Sequence, residues 1–337
     1  MLPMPFTTES TVPAETSPLR PVHVSVLLDE VVEWLVPKPD AVFVDGTVGA
    51  GGHSAALARK LEGRGRVIGL DRDPNMLAFA QSATEGLPVA LFQAPYSRAR
   101  DVLDELGIGR VDGVLLDLGL SSDQLAWTDR GFSFAAEGPL DMRFDPQGDT
   151  TAADLVNSLP AEELANIIFQ YGEDRNSRRI ARRIVEERKI APILTTGRLA
   201  EIVRKSTPGK WGPMDPATRT FQALRIRVND ELEHLDRILD EIPELLKVGG
   251  RAVIISFHSL EDRKVKWAFR NDPRLNVLTR KPLMASAQEV AENPRARSAK
   301  MRVAERCSDT TPTTNPTDIN PSIRTVKNPG TRRKSTT

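Results

Sequence analysis

A glycine-rich segment flanked by acidic residues is the stretch of this sequence with the clearest chemical meaning. Asp45 comes directly before it, and four glycines follow before His53. Glycine allows a backbone with positive φ and lets a ligand approach the main chain, and a helix that starts after such a turn offers free N–H groups. Asp71 ends the next apolar run, 26 residues after Asp45. This order predicts a ligand-binding turn with a carboxylate close by.

The residues of the turn discriminate between the ligands that such turns bind. A dinucleotide fingerprint starting at Gly49 requires glycine or alanine where this chain has Ser54, and the lysine of a P-loop is absent. S-adenosylmethionine has no pyrophosphate, but it has a cationic sulfonium, an aminoacyl group and a ribose diol. Asp71 is therefore predicted to accept hydrogen bonds from both ribose hydroxyls. The alternative is a turn that only joins a strand to a helix, with Asp71 at a solvated strand end.

A third acidic residue follows another apolar run. Asp117 ends the segment VDGVLLD at 111–117. Ligands of open α/β sheets bind outside the carboxyl ends of the strands, so Asp117 is expected to face the cofactor crevice. The alternative is an aspartate that caps the following turn.

Short β-branched runs that alternate with helical stretches position these acids, and they predict a parallel α/β sheet. Four strands are predicted in the first part of the chain, at 41–45, 66–71, 89–92 and 111–118. Asp73 is suited to cap the helix after the second strand, with Pro74 at its first position.

The pattern after about residue 124 is helical. Helices are predicted from 151 to 205, with breaks at Pro160, Gly172, Pro192 and Gly197. An apolar stripe then predicts one long helix over 218–247, which Pro243 kinks and the glycines at 249–250 end. A strand returns at 251–257.

These elements predict an α/β fold, a class I Rossmann-like methyltransferase core with a doubly wound, mostly parallel sheet and an all-helical insertion. The predicted core comprises 22–126 and 218–307, and 127–217 is the insertion, interpreted as an RNA-binding domain. The segments 1–21 and 308–337 are rich in Pro, Ser and Thr and are predicted to be disordered.

Composition restricts the class of protein. The 337 residues have a formal net charge of +0, and 39% are apolar. No apolar run approaches the ~20 residues of a membrane-spanning helix, and the N-terminus does not resemble a secretory signal. Cys307 is the single cysteine, and the four histidines show no metal-ligand spacing. We expect a soluble cytoplasmic protein without a metal or a membrane partner, whose oligomeric state the sequence does not specify.

Neutral net charge hides three basic segments. Segment 175–189 holds seven basic and two acidic residues, 263–281 holds seven and one, and 295–306 holds five and one. Such segments bind nucleic-acid phosphates by charge, although a solvated helix face is the alternative. Ile180, Ile184 and Val185 predict that the arginines of the first segment point outward. Trp211 is predicted either to stack on a base or to be buried.

Several motifs together resemble one family, the RsmH (MraW) type of 16S ribosomal RNA cytosine-N4 methyltransferase. The resemblance runs from about His23 to Arg306. Its motifs are HVSVLLDE at 23–30, DGTVGAGGHS at 45–54, LLDLGLSSDQL at 115–125, GFSF at 131–134, GPLDMR at 138–143, FQALRIRVNDEL at 221–232, ISFHSLEDR at 255–263 and NPRARSAKMRVAE at 293–305.

The resemblance implies an enzyme that uses S-adenosylmethionine to methylate the exocyclic N4 amine of a cytidine in the RNA of the small ribosomal subunit. Tyr96 stands where the family usually has an aromatic residue, commonly phenylalanine, beside the adenine. The cofactor contacts that the resemblance implies are Gly51, Gly52, His53, Asp71, Tyr96, Asp117 and Gln124.

A catalytic residue is not assigned. A cytosine amine is a poor nucleophile, so the enzyme must align it with the methyl group and accept its hydrogen bonds. The Asn/Asp-Pro-Pro-aromatic segment of many amino methyltransferases is replaced here by DLGL at 117–120. Asp117, His53, His258 and Asn229 are the polar candidates, and the resemblance places Asp117 at the cofactor instead.

Three other functions stay open at this point. One is an amino methyltransferase that acts on DNA or protein. Another is a non-catalytic RNA-binding or ribosome assembly factor that retains a cofactor pocket. A nicotinamide oxidoreductase is disfavoured by the incomplete dinucleotide fingerprint.

Overall fold

The computed structural model describes residues 24–307, apart from 208, 210 and 213. The predicted disordered segments, 1–21 and 308–337, lie outside the described residues. In the described part of the chain, no helix is long and apolar enough to cross a membrane.

Seven strands of the described residues form one sheet in the order β3-β2-β1-β4-β5-β7-β6. Strands β1 to β5 are parallel, and β7 is antiparallel to both of its neighbours. The strands are β1 (Val42–Asp45), β2 (Arg66–Asp71), β3 (Val89–Gln93), β4 (Val111–Asp117), β5 (Leu246–Ser256), β6 (Leu275–Val277) and β7 (Lys300–Arg306). This sheet confirms the predicted α/β class with a Rossmann-like, mostly parallel core.

Helices cover both faces of the sheet, as the strand sequences require. Within β1 and β4, Phe43 and Leu115 pack on one face, and Val44 and Leu116 pack on the other. The helices are α1 (Leu28–Leu35), α2 (Gly52–Ala58), α3 (Pro74–Ala83), α4 (Ala99–Glu105), α5 (Ser122–Ala126), α6 (Ala152–Ser158), α7 (Ala161–Gly172), α8 (Ser177–Arg188), α9 (Thr196–Ser206), α10 (Ala217–Val228), α11 (Glu231–Leu245), α12 (Ser259–Asn271) and α13 (Ala287–Glu292).

A second hydrophobic core lies between β4 and β5 in the chain. Helices α6 to α9 build it, with Leu164, Ile168 and Ile184 fully buried. Helix α10, which the sequence division placed with the core, adds Phe221 and Leu224 to the same cluster. The division at residue 217 stays a prediction, but the packing of α10 belongs to the helical cluster.

The predicted single helix over 218–247 is wrong, because the chain forms α10 and α11 with a turn between them. Asp230 has a left-handed backbone (φ 48°), which an α-helix does not accommodate. The apolar stripe continues across the turn, but its two halves serve different cores. Phe221 packs in the helical cluster, whereas Leu235 packs against the sheet.

Two predicted helix breaks also differ from the structure. Gly197 lies in the first turn of α9, where Thr195 caps the helix by accepting a hydrogen bond from Arg198 N at 3.4 Å. The glycines at 249–250 do not end a helix. Helix α11 ends at Leu245, with Pro243 inside its last turn, and the glycines lie in β5. The register between β4 and β5 shifts beside them, which marks a local bulge.

Candidate active site

One cavity opens at the carboxyl ends of β1, β2 and β4. The strand order reverses between β1 and β4, which is the usual ligand position in an open α/β sheet. The predicted cofactor residues that line this cavity are Gly52, His53, Asp71, Tyr96, Asp117 and Gln124. The sequence therefore predicted residues that the fold brings together from four separate segments.

Gly51 is the predicted residue that does not line the cavity. It precedes α2 with a left-handed backbone (φ 88°), and a side chain at this position would lie 3.0 Å from Ala80 Cα. Glycine is required here by both conformation and space. Gly51 shapes the turn, and Gly52 presents it to the cavity.

Buried carboxylates hold the glycine turn in place. Asp45 accepts hydrogen bonds from Thr47 N at 3.2 Å and from Ser54 Oγ at 2.6 Å. Burial raises the pKa of Asp45 to about 6, although both hydrogen bonds oppose that shift. Asp45 is thus a support for the turn and does not line the cavity itself.

Asp71 combines a supporting role with an open position. Its Oδ2 accepts from Gly49 N and its Oδ1 from Asp73 N, each at 2.9 Å. Burial raises the pKa of Asp71 to about 7, with smaller contributions from the nearby carboxylates of Asp73 and Asp45. Each carboxylate oxygen can accept a second hydrogen bond. Asp71 can therefore bind two further donors from the cavity while it holds the turn.

Asp117 is the least satisfied carboxylate of the site. Thr47 Oγ1 accepts from the backbone N–H of Asp117 at 2.6 Å, and Oδ2 lies 3.9 Å from His53 Nδ1. Its Oδ1 is buried and accepts no hydrogen bond from the described residues. Burial, followed by repulsion from Asp45, raises the pKa of Asp117 to about 8. A buried acceptor without a donor suits a ligand that supplies one.

His53 is oriented by the backbone. Its Nε2 lies 3.0 Å from the carbonyl oxygen of Val26, so this nitrogen carries the proton and donates. The imidazole therefore turns Nδ1 towards Asp117. This arrangement links the segment before α1 to the carboxyl end of β4.

Tyr96 and Gln124 line the cavity with their polar ends engaged. The Tyr96 hydroxyl donates to Glu231 O at 3.0 Å, and its ring is left to contact a ligand. Gln124 Oε1 accepts from Ser121 N, and Nε2 donates to Asp73 Oδ2 at 2.9 Å. Gln124 thus positions α5 against the start of α3, which its sequence motif did not reveal.

The family of the chain follows from comparison with known proteins. The model of the MraW methylase family matches residues 20–307. The chain belongs to this family. A protein named Ribosomal RNA small subunit methyltransferase H from Synechococcus sp. (strain JA-2-3B'a(2-13)) is 52% identical over 299 residues, which cover 85% of this chain and 92% of that protein.

Two further proteins are similar to this chain. A protein of the same name from Heliobacterium modesticaldum (strain ATCC 51547 / Ice1) is 46% identical over 307 residues, covering 84% of this chain and 98% of that protein. A solved rRNA methylase from Streptococcus thermophilus is 11% identical with a TM-score of 0.39, covering 83% of this chain and 93% of that one.

Two polar candidates for catalysis in this MraW-family chain have structural partners instead. His258 caps α12, where its side chain accepts from Glu261 N and the Glu261 side chain accepts from His258 N. Asn229 Nδ2 donates to Met142 O at 2.7 Å, and Oδ1 accepts from Phe144 N at 2.8 Å. Both residues hold the walls of the cavity in place.

Residues from distant parts of the chain complete the wall and escaped the sequence analysis. They come from the segment between α5 and α6, from the end of β5 and the start of α12, and from the segment after α13. They are Phe144, Phe257, Glu261, Asn293 and Arg295. Asn293 and Arg295 belong to the motif at 293–305, so the signal was present, but nothing in the motif states which residues face a ligand.

The third basic segment is mostly buried, contrary to its interpretation as a phosphate-binding surface. Arg302 pairs with Asp262, with Nε 2.6 Å from Oδ1, and Arg306 is 2% exposed. Both lie in β7 inside the sheet.

Among the described residues, no group of three or more His, Cys, Asp or Glu side chains is arranged to hold a metal ion.

Proposed function

We propose that this chain is an S-adenosylmethionine-dependent methyltransferase that methylates the N4 amine of a cytidine in the 16S RNA of the small ribosomal subunit. The observation that carries the proposal is the cavity of a MraW-family chain, in which Asp71 and Asp117 flank a glycine turn at the reversal of the sheet order. Because ribosomal RNA is the proposed substrate, we also place the protein in the cytoplasm.

The chemistry of the cavity fits the cofactor. Carboxylates with raised pKa values are stabilised by a cation, and the cofactor supplies a sulfonium and an ammonium. Asp71 has two free acceptor positions for the ribose hydroxyls, and Tyr96 offers a ring face for the adenine. The proposed contacts are Gly51, Gly52, His53, Asp71, Tyr96, Asp117 and Gln124, with Gly51 and Gln124 acting through the turn and through α5. The cofactor supplies an electrophilic methyl group.

The protein has to orient the amine and accept its hydrogen bonds. Asp117 lies at the end of β4, and its buried Oδ1 has no donor among the described residues. A carboxylate there can contact the cofactor and still accept from an amine. No strong base is required, because the methylated amine can release its proton to water after transfer.

The exposed side of helix α8 supports the proposal that the insertion, which we place at residues 127–217, binds RNA. Ile180 and Ile184 are fully buried, so the prediction of an outward basic side is confirmed. We call the exposed residues Arg178, Arg179, Arg182 and Arg183 the α8 face. Exposed arginines on one helix side attract phosphates.

The second basic segment is only partly paired, so the α8 face is favoured because its arginines lie together on one side of a helix. In that second segment, Arg263 pairs with Glu173, Lys264 with Asp236, and Arg274 with Asp272. The exposed Arg270, Arg280 and Lys281 have no ion pair among the described residues. In the α8 face, Arg183 pairs with Glu186 and Glu187, whereas the other three arginines have no ion pair among the described residues. Trp211 is 46% exposed, so it is not buried in the helical cluster.

The test is to map N4-methylcytidine in small-subunit RNA from cells with and without this protein, and then to restore the mark with purified protein and cofactor. Loss and restoration at one cytidine are expected. Label transferred to DNA or protein instead would contradict the substrate, and label transferred to neither would favour a non-catalytic RNA-binding factor. The matched variant is Asp117→Asn, which keeps shape but removes the charge.

A further inference from the structure

Arg295 is a largely buried arginine with most of its hydrogen-bonding capacity unused. It lies in a short 3-10 helix, Pro294–Ser298, and lines the cavity. Its Nη1 donates to Ser122 Oγ at 3.0 Å, and the described residues offer the guanidinium no other side-chain partner. A guanidinium carries five N–H donors in one plane. Several donors therefore remain for a ligand in the cavity.

The surroundings of Arg295 show that it is built into the wall. Its backbone N–H donates to Asn293 Oδ1 at 3.3 Å, and Asn293 Nδ2 donates to Val24 O at 3.1 Å. Ser122, the side-chain partner, begins α5 just after β4. Burial lowers the pKa of Arg295, while the nearby carboxylate of Asp117 opposes that shift. Arg295 is thus a fixed cation next to the carboxylate at the end of β4.

Donors and acceptors on this wall match one edge of a pyrimidine. The Watson–Crick edge of cytosine presents an amine donor at N4, then acceptors at N3 and O2. Asp117 Oδ1 is an acceptor without a donor, and Arg295 offers donors without acceptors. Uracil has N3–H and O4 in the corresponding positions, so it would place a donor against the arginine and an acceptor against the carboxylate.

An enzyme that modifies a base must take it out of the stack and read it in a pocket. We infer that Arg295 is a specificity-determining residue that donates to N3 and O2 of the target cytosine, with its amine held at Asp117. This inference rests on the proposed function, since it assigns the base-reading group of the same site. The planar guanidinium suits a two-acceptor edge, which the point charge of lysine does not.

The experiment pairs a protein change with a change of one base atom. Wild-type protein and the Arg295→Met variant are each assayed on a short RNA with the mapped target cytidine and on the same RNA with 3-deazacytidine, in which C–H replaces N3. The wild type should lose tenfold or more in kcat/KM on the deaza RNA. The variant should lose tenfold or more on the natural RNA but show little further loss on the deaza RNA. The deaza change also alters the reactivity of the amine. This effect is the same for wild type and variant, so it cancels when the losses of the two proteins are compared.

Matched variants keep the result interpretable. Arg297→Gln changes an exposed arginine of the same 3-10 helix, and its ratio between the two RNAs should equal that of the wild type. Arg295→Lys keeps the charge, and its ratio of kcat/KM between the two RNAs should lie between those of the wild type and the methionine variant. If the methionine variant does not fold, the lysine variant still tests the inference.

Two results would overturn the inference. One is an equal loss on the deaza RNA in wild type and both Arg295 variants, since the arginine then does not contact N3. The other is a tenfold loss of cofactor affinity in a folded Arg295 variant, measured by calorimetry, since Arg295 then belongs to the cofactor subsite. Failure of the proposed function looks different, because wild-type protein then leaves no N4-methylcytidine in any small-subunit RNA.

Discussion

Asp71→Asn is the substitution that tests the cofactor site most directly. Each carboxylate oxygen of Asp71 accepts one backbone N–H at 2.9 Å and retains room for one ligand hydroxyl. Asparagine keeps the shape but turns one oxygen into an NH₂ group, which removes the charge, one acceptor for the ligand and one of the two backbone hydrogen bonds. A hydrogen bond to a charged group contributes roughly 1.5–3 kcal/mol, so the cofactor Kd should rise about tenfold to hundredfold. An alanine variant would lose more, because it would remove both backbone hydrogen bonds.

Folding should survive this substitution. The pKa of Asp71 is raised to about 7 by burial, so its ionised form is disfavoured in the free protein and removing the charge relieves that cost. The matched control is Asp112→Asn. Asp112 also accepts a backbone N–H, from Val42 at 2.8 Å, but it lies at the start of β4, away from the cavity at the carboxyl ends of the strands. Calorimetric titration with the cofactor measures the affinities, and thermal melting checks the fold. Unchanged affinity in a folded Asp71→Asn protein would refute the ribose assignment.

Three further outcomes are expected. The pKa values of Asp71 (about 7) and Asp117 (about 8) are raised, so both carboxyls bind protons near neutrality and a cationic cofactor must displace them. Cofactor affinity should therefore rise between pH 6 and 7.5, by up to about tenfold per pH unit for each proton displaced and up to about a hundredfold for both. A flat calorimetric profile would contradict this. Replacing three arginines of the α8 face, all but the paired Arg183, with glutamine should weaken RNA binding. The salt dependence of binding should become shallower by somewhat under one log-log unit per lost contact. Cofactor affinity should stay unchanged as the control, and equal salt slopes in wild type and variant would mean that the face is only solvated. Asn229→Ala should lower the melting temperature, because the backbone groups of the 142–144 segment lose partners at about 1–3 kcal/mol each, whereas the exposed Asn276→Ala should not; equal melting temperatures would argue against this role.

The parallel part of the sheet could be predicted from the sequence because its strands are short apolar runs, and β1, β2 and β4 end in acids. Strands β6 and β7 were not predicted. The carboxyl ends of parallel strands meet at one edge, so Asp71 and Asp117 had to lie close together once the strands were recognised. The turn between α10 and α11 could not be predicted in the same way. It contains Asn229 and Asp230 rather than glycine or proline, and the apolar period runs through it unchanged.

Site residues also differ in whether the local sequence predicts their role. The glycine turn carries a local signal, because its function requires residues that are adjacent in the chain. Arg295 lies in the motif at 293–305, but the motif does not predict that it faces the cavity, because its position depends on how the segment after α13 packs against α5 through Ser122. The third basic segment failed as an interpretation for the same reason, since charge counts do not reveal that Arg302 and Arg306 lie within a strand.

The turn at 229–231 explains how the helical cluster and the sheet contribute to one cavity. Phe144 packs against the helical cluster, lines the cavity and donates its N–H to Asn229 Oδ1. From the core, Arg72 Nη1 donates to Asn229 O at 2.5 Å, and the Tyr96 hydroxyl donates to Glu231 O. A continuous helix would engage the carbonyl oxygen of Asn229 in its own hydrogen bond. The break between α10 and α11 therefore leaves Asn229 O for Arg72, while the Asn229 side chain holds the 142–144 segment. One turn thus contacts both walls, and it fixes the helical cluster with its α8 face relative to the carboxylates of the site.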